Sequence, residues 1–212
     1  AITDFAASGL VKDNDAPGGN VTGTSDMNPV VDQIDLLHQL APEAKKVGLL
    51  YCTAESNSKI QIELAAAELK KLGIEGVEYT ASSSNEVQQV VESMMGKVDA
   101  IYTPTDNTIA SAMTVIASIA NEHKVPTVCG EVAHVEAGGL ASLSINYEEL
   151  GRRAGEMAVR ILTEGAEPAA MPIESMGAAE CDLVYNGRTA EALGIDVTSL
   201  VEDGATDVSA AE

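Results

Sequence analysis

The sequence predicts an α/β fold with a doubly wound parallel sheet. Four strand-like segments begin at Val47, Ile74, Val98 and Val125, and a segment of helical periodicity follows each of them. Each strand and helix together take about 25 residues, the length of a βα unit. Strands that are joined through a helix run in the same direction, so four such units in succession favour a parallel sheet.

Before these units the signals are weaker. The predicted elements there are a short helical stretch at 6–11, a loop at 12–20, a possible strand at 21–25 and a helix from about Pro29 to Leu40. The regular part is predicted as strands 47–53, 74–80, 98–102 and 125–130, with helices 58–72 and 83–95 and one that begins after Asp106. Ser58 with Gln61, and Ser83 with Glu86, have the spacing of capping boxes.

After Gly130 the pattern loosens. The predicted elements are a helical turn at 131–136, a strand at 140–145, a helix at 146–163, short strands at 172–175 and 183–185, and a short helix at 188–193. Asn146 with Glu149 can cap the longest of these helices, and its predicted inward face is Leu150, Ala154, Met157, Ala158 and Ile161. Residues 197–212 carry acidic side chains and no basic one, which predicts a disordered tail.

Composition excludes several classes of function. A net charge of −21 and a pI near 4.3 argue against a nucleic-acid partner, because phosphate contacts need clustered Lys and Arg. Cys52, Cys129 and Cys181 are widely spaced, which indicates free thiols and neither a disulfide framework nor a metal site. The sequence contains no run of apolar residues long enough to span a bilayer.

The polar segments that follow two of the predicted strands indicate where a ligand would bind. If the strand order is 2-1-3-4-5, the switch point lies between the strands that begin at Val47 and Val98, where ligands of open α/β sheets bind. Residues 53–58 and 103–107 follow these strands, and both segments run into helices. Helix amino ends attract a carboxylate, and Glu55 and Asp106 could hold an ammonium group, so a zwitterion such as an amino acid fits. The alternative is that Ser58 and Asp106 are only helix caps and Glu55 a surface charge.

Catalytic motifs are missing from the sequence. His38, His123 and His134 have no Ser, Cys or carboxylate partner at the spacing of a known catalytic motif. A GxGxxG segment after a strand and a P-loop are both lacking. The chain is therefore predicted to be no enzyme and to need no cofactor or metal.

Four segments carry a resemblance to a known family: PGGNVTGTSD (17–26), LLYCTAESNS (49–58), DAIYTPTDNTIAS (99–111) and GGLASLSINYEELGRRAGEMAVRIL (138–162). Over about residues 1–196 the chain resembles the ABC-transporter substrate-binding proteins of the tryptophan/tyrosine type, which have the class I periplasmic-binding-protein fold. Such proteins have two lobes, are exported and often lipid-anchored, and close on an amino acid that they hand to a membrane permease.

The resemblance implies a division of the chain. Most of the first lobe would precede Ala1, with residues 1–25 as its end and the hinge, and residues 26–145 as the second lobe. Residues 146–165 would return to the first lobe, 166–196 would cross back, and 197–212 would form the tail. Half of the cleft between the lobes would then lie outside these 212 residues, so the chain alone is expected to bind ligand weakly or not at all.

The resemblance also assigns ligand contacts by position. Asp106 would bind the ligand ammonium, and Glu131 would flank the pocket. The full predicted set is Thr3, Asp4, Thr24, Ser25, Tyr51, Glu55, Ser56, Asn57, Ser58, Thr105, Asp106, Asn107 and Glu131.

The expected function is that of an extracytoplasmic solute-binding component of an ABC importer, periplasmic or lipid-anchored at the outer face of the membrane. It would bind an amino acid with an aromatic side chain between two hinged lobes and deliver it to the permease subunits. The alternatives are a sugar- or nucleoside-binding or sensing domain on the same fold, and an α/β enzyme.

Overall fold

A computed structural model describes residues 2–209 of the chain. These residues form two units. The larger unit comprises Pro29–Ser144 and the segment that begins at Asp182, and the smaller unit comprises the residues up to Asn28 together with Ile145–Cys181. The assignment of these units to the lobes of a longer protein stays a prediction.

Within residues 2–209, the larger unit is built on one sheet of seven strands in the order β2-β1-β3-β4-β5-β6-β7. The strands are β1 Lys46–Cys52, β2 Glu75–Ala81, β3 Ala100–Thr103, β4 Thr127–Cys129, β5 Ala141–Ser144, β6 Asp182–Tyr185 and β7 Thr206–Asp207. The first five strands are parallel and have the 2-1-3-4-5 order assumed from the sequence. The predicted α/β fold class is therefore confirmed.

One strand departs from the parallel pattern. β6 runs antiparallel to β5, with Ala141 opposite Tyr185 and Ser144 opposite Asp182. The end of β5 pairs with the start of β6. The chain therefore leaves and re-enters the sheet at the same end of the strands, and β6 runs in the direction opposite to β5. The sheet is thus mixed at this side.

Helices cover both faces of the sheet. The α-helices of the described residues are α1 Val30–Leu40, α2 Ser56–Lys71, α3 Ser84–Met94, α4 Asn107–Glu122, α5 Val132–Glu136, α6 Tyr147–Glu164, α7 Gly187–Leu193 and α8 Thr198–Glu202. α1, α2, α7 and α8 contribute to one apolar cluster, and α3, α4 and α5 contribute to a second cluster on the other face. This two-sided burial explains the continuous apolar runs of β1 and β3.

The C-terminal segment is ordered where it is described. The prediction that residues 197–212 are disordered is wrong for this part, because α8 and β7 form there and Leu200 is only 1% exposed. β7 extends the sheet by pairing with β6. Residues 210–212 of the predicted tail lie outside the described residues.

The smaller unit contains α6 and little other regular structure. Asn146 caps α6 as predicted, since its Oδ1 accepts a hydrogen bond from Glu149 N at 3.0 Å. Of the predicted inward residues of α6, Leu150 and Met157 are buried, whereas Ala158 is exposed. The stretch predicted as helix at 6–11 forms turns, and the strands predicted at 21–25 and 172–175 are reduced to isolated bridges.

Within residues 2–209, every helix is too short or too polar to cross a membrane.

Candidate ligand-binding site

Two polar elbows meet at the switch point of the sheet. β1 and β3 are neighbours, and the order of the strands diverges on their two sides. The first elbow (residues 53–58) leads from β1 into α2, and the second elbow (residues 103–107) leads from β3 into α4. A third elbow (residues 130–131) joins β4 to α5. Most of the residues predicted as ligand contacts lie on these three segments.

Asp106 joins three segments of the larger unit. Its Oδ1 accepts a hydrogen bond from Ile109 N at 2.9 Å, which makes it the cap of α4, as predicted. Its Oδ2 accepts from Cys52 N and from Ser58 Oγ, both at 2.7 Å. The residue is only 1% exposed, and this burial raises the pKa of its carboxyl against the three hydrogen bonds.

These bonds bear on the expected role of Asp106. The buried Asp106 carboxylate is hydrogen-bonded to β1, α2 and α4 of the same chain. It therefore has a structural role, because it holds these three elements together. Its contact with a ligand ammonium stays a prediction. Ser58 is fully buried and donates to the same carboxylate, so it too holds the elbows together.

Glu55 spans from the first elbow to the amino end of α4. Its Oε2 accepts from Asn107 N and Nδ2, both at 3.0 Å, and its Oε1 accepts from Thr108 N and Oγ1, both at 2.8 Å. Burial opposes the charged form of Glu55, but these four hydrogen bonds outweigh it and lower the pKa of the carboxyl below its ordinary value.

The amino end of α4 is therefore filled from within the chain. Glu55 takes the amides of Asn107 and Thr108, and Asp106 takes that of Ile109. The hypothesis that helix amino ends here would attract a ligand carboxylate fails for α4, because two side-chain carboxylates already occupy its first amides.

The backbone N–H and C=O of Thr105 are hydrogen-bonded to side chains of α2. Gln61 Oε1 accepts from Thr105 N at 3.1 Å, and Gln61 Nε2 donates to Thr105 O at 3.3 Å. Asn57 Nδ2 donates to the same carbonyl at 3.1 Å. Ser58 and Gln61 thus do not form the predicted capping box. α2 begins two residues earlier, at Ser56, and both side chains bind the second elbow.

The third elbow packs closely on the second. A Cβ on Gly130 would lie 2.5 Å from the carbonyl carbon of Pro104 and closer still to Thr105 N, so only glycine fits there. The carbonyl of Gly130 accepts a hydrogen bond from Gln33 Nε2 at 3.2 Å, and Gln33 Oε1 accepts from Tyr102 at 2.7 Å. Gln33 thereby ties the backbone of the third elbow to the core.

Glu131 lies beside a fully buried histidine. His134 Nδ1 is 3.1 Å from Thr103 Oγ1, and His134 Nε2 is 3.0 Å from Glu131 Oε1. The second distance is that of an ion pair but lacks the alignment of a hydrogen bond. The Glu131 side chain is 18% exposed, so part of it faces solvent at the end of β4.

The remaining predicted contacts of the larger unit separate into two groups. Ser56 and Asn107 are exposed at the first positions of α2 and α4, beside the elbows. Tyr51 lies apart from them in the apolar cluster, and its hydroxyl donates to Glu78 Oε2 at 2.7 Å. That hydrogen bond, with burial, raises the pKa of Tyr51 to about 12. The structure therefore places Tyr51 in the core.

The other four predicted contacts lie in the smaller unit. Ser25 Oγ donates to Thr3 O at 2.6 Å, and Thr24 forms a bridge with Glu174. The Asp4 carboxylate accepts from Ala7 N at 3.0 Å, which lowers the pKa of Asp4. Their role as ligand contacts stays a prediction.

Sequence reasoning missed several residues that build the site. Gln61, Gln33 and Thr108 all bind an elbow, but none was a candidate. A signal existed for Gln61, which follows Asn57 by four residues and so shares its face of α2. Gln33 gave no such signal, because its partners are distant in sequence. Among residues 2–209, no cluster of His, Cys, Asp and Glu could hold a metal ion.

Comparison with known proteins places the chain among transport proteins. Residues 1–209 match the family described as ABC transporter substrate binding protein. The chain is 41% identical over 199 residues to the tyrosine-binding protein of Clostridioides difficile (strain R20291), covering 94% of the chain and 57% of that protein.

Two solved structures are also similar. One is an ABC domain in complex with L-Trp from Streptococcus pneumonia, with a TM-score of 0.88, 40% identity, and coverage of 97% of this chain and 69% of that one. The other is a ligand-free, open substrate-binding protein with adhesive properties from Clostridium difficile, with a TM-score of 0.80, 40% identity, and coverage of 98% and 69%. The chain thus spans little more than half of the curated relative and about two thirds of each solved chain.

Proposed function

Since the chain belongs to the family of ABC transporter substrate-binding proteins, we propose that it binds an aromatic amino acid and delivers it to the permease of an ABC importer. The observation that carries this proposal is the pair of relatives at about 40% identity, one named for tyrosine and one solved with L-Trp. The polar elbows at the switch point support it, because they are where an α/β sheet of this order binds ligands.

The elbows suit the ammonium end of such a ligand. Glu55, Asp106 and Glu131 give this end of the sheet a negative charge, and the first amides of α4 are already taken. We therefore propose that the ammonium group faces the elbows and that the ligand carboxylate binds elsewhere. The proposed contacts of the larger unit are Glu55, Ser56, Asn57, Thr105, Asn107 and Glu131, with Ser58 and Asp106 holding these segments in place.

The setting of the protein follows from the same family. We propose an extracytoplasmic location, in a periplasm or on a lipid anchor at the outer face of the membrane. We also propose that the protein works without catalysis, since its relatives are described as binding proteins.

Calorimetric titration of the full-length protein with the twenty amino acids tests the proposal. L-Tyr or L-Trp should bind most tightly, and Thr105→Val should weaken that binding about tenfold through loss of the hydroxyl. Thr114→Val is the matched control, because Thr114 is exposed on α4 away from the elbows. Binding of a sugar or a nucleoside with no response to any amino acid would keep the fold and refute the proposed ligand.

A further inference from the structure

Gln61 makes a two-pronged contact with the backbone of one residue. The side chain is fully buried on α2, and its amide accepts from Thr105 N and donates to Thr105 O. The same Nε2 also donates to Asn57 O at 3.3 Å. One side chain on α2 thus binds both the backbone N–H and the backbone C=O of Thr105.

The same segment also packs against the third elbow. Gly130 lies so near Thr105 N and Pro104 that no side chain fits between them. Asp106, the next residue, is bonded to β1 and α2. These contacts restrain the backbone of Thr105, and the position of its side chain depends on that backbone.

We infer that Gln61 is a positioning residue for ligand binding: it fixes Thr105 on the second elbow and so sets affinity for the amino acid. The ligand class in this inference rests on the proposed function, whereas the fixing of Thr105 does not. Gln61 needs no contact with the ligand, because it acts through the peptide groups of Thr105.

The chemistry of the amide supplies a specific test. An ionised carboxylate only accepts hydrogen bonds, so Gln61→Glu in its charged form would repel the carbonyls of Thr105 and Asn57. The protonated acid both donates and accepts, as the amide does. Burial among carbonyls raises the pKa of the introduced carboxyl, so protonation at the lower pH should restore the contact.

Affinity for L-Tyr and L-Trp is measured by calorimetry on the full-length protein at about pH 5 and about pH 8. Gln61→Met should weaken binding about tenfold at both values, and Gln61→Glu should weaken it at the higher pH and recover at the lower. Each variant is compared with the wild type at the same pH, which removes the titration of Glu55, Asp106, Glu131 and His134. Gln89→Glu on the exposed face of α3 is the control for the added charge.

The amide NMR signal of Thr105 gives a readout without ligand. It should move in Gln61→Met, and in Gln61→Glu it should return to the wild-type position as the pH falls. An unmoved Thr105 signal with unchanged affinity would overturn the inference. If the wild type binds neither L-Tyr nor L-Trp, the proposed function fails, and the Thr105 signal alone then decides whether Gln61 fixes the elbow. If Gln61→Met does not fold, the two pH values of Gln61→Glu still give the answer.

Discussion

Asp106 keeps a carboxylate in a place that is almost closed to water. Burying a charge costs free energy, and hydrogen bonds from Cys52, Ser58 and Ile109 offset that cost. The donors belong to β1, α2 and α4, so a single side chain fixes the relative position of three elements.

Replacement of Asp106 should therefore weaken the fold. Asp106→Ala removes the cap of α4 and leaves three buried donors without an acceptor, which should lower the free energy of unfolding by about 2–4 kcal/mol. Urea denaturation measures this change. Asp35→Ala is the control, since Asp35 is exposed on α1 and its loss should have little effect. A variant as stable as the wild type that has lost amino-acid binding would instead assign Asp106 to direct ligand contact.

The contributions of Glu55 and Asp106 to the stability of the fold depend on pH in opposite ways. Because the folded-state pKa of Glu55 is lowered, its contribution to stability is present above its ordinary pKa and is lost as the pH falls through the folded value. The raised pKa of Asp106 makes its contribution fall as the pH rises. Glu55→Gln should thus lower the melting temperature at neutral pH, and the difference from the wild type should shrink below about pH 4.

Thermal unfolding followed by circular dichroism across this pH range checks the expectation. Glu63→Gln, at an exposed position of α2, makes the same change of charge without touching α4. Equal pH profiles for the two variants would show that the charge of Glu55 at the amino end of α4 contributes nothing to stability.

At the scale of single elements, the approach of the third elbow to the second depends on one glycine. Gly130→Ala should displace the Pro104–Thr105 backbone, lower the free energy of unfolding by about 1–3 kcal/mol and weaken amino-acid binding. Urea denaturation and calorimetry measure the two effects. Gly155→Ala provides the contrast, because its Cβ would meet open space on α6 and should stabilise by about 0.5–1 kcal/mol. A neutral Gly130→Ala would mean that the elbows can separate without loss.

Contacts between residues close in sequence could be predicted, whereas contacts between distant segments could not. Asp106 as the cap of α4 could be predicted, because the cap and its amide are three residues apart. The capping box of Ser58 and Gln61 was wrong, because the partners that bind these side chains lie on the second elbow, more than forty residues away in sequence. A local pattern cannot show that a distant group binds the same side chain.

The C-terminal segment that contains α8 is packed into the apolar core of the larger unit. Leu200 on α8 is buried in the apolar cluster that contains α1 and α2. Leu200→Ala should lower the free energy of unfolding by about 2–4 kcal/mol, as large-to-small changes in cores do. Val201→Ala, at a side chain that is 51% exposed, should change it little. Equal urea midpoints for the two variants would show that α8 is not packed on the unit.

The fold was more predictable than its C-terminal edge. Strands β1, β3 and β4 could be placed because each is a buried run with a helix after it. β7 has two residues, both exposed, and so leaves no hydrophobic pattern to read. The antiparallel direction of β6 depends on pairing with β5, which periodicity does not encode.

The return of the chain to the sheet through β6 has a consequence for biosynthesis. A ribosome makes β5 before the smaller unit's Ile145–Cys181, and the partner of β5 on that side follows only afterwards. A nascent chain therefore carries an open strand edge for as long as that intervening segment is being translated, and such edges invite pairing with other chains. That side of β5 is closed only once residues 182–207 have been translated.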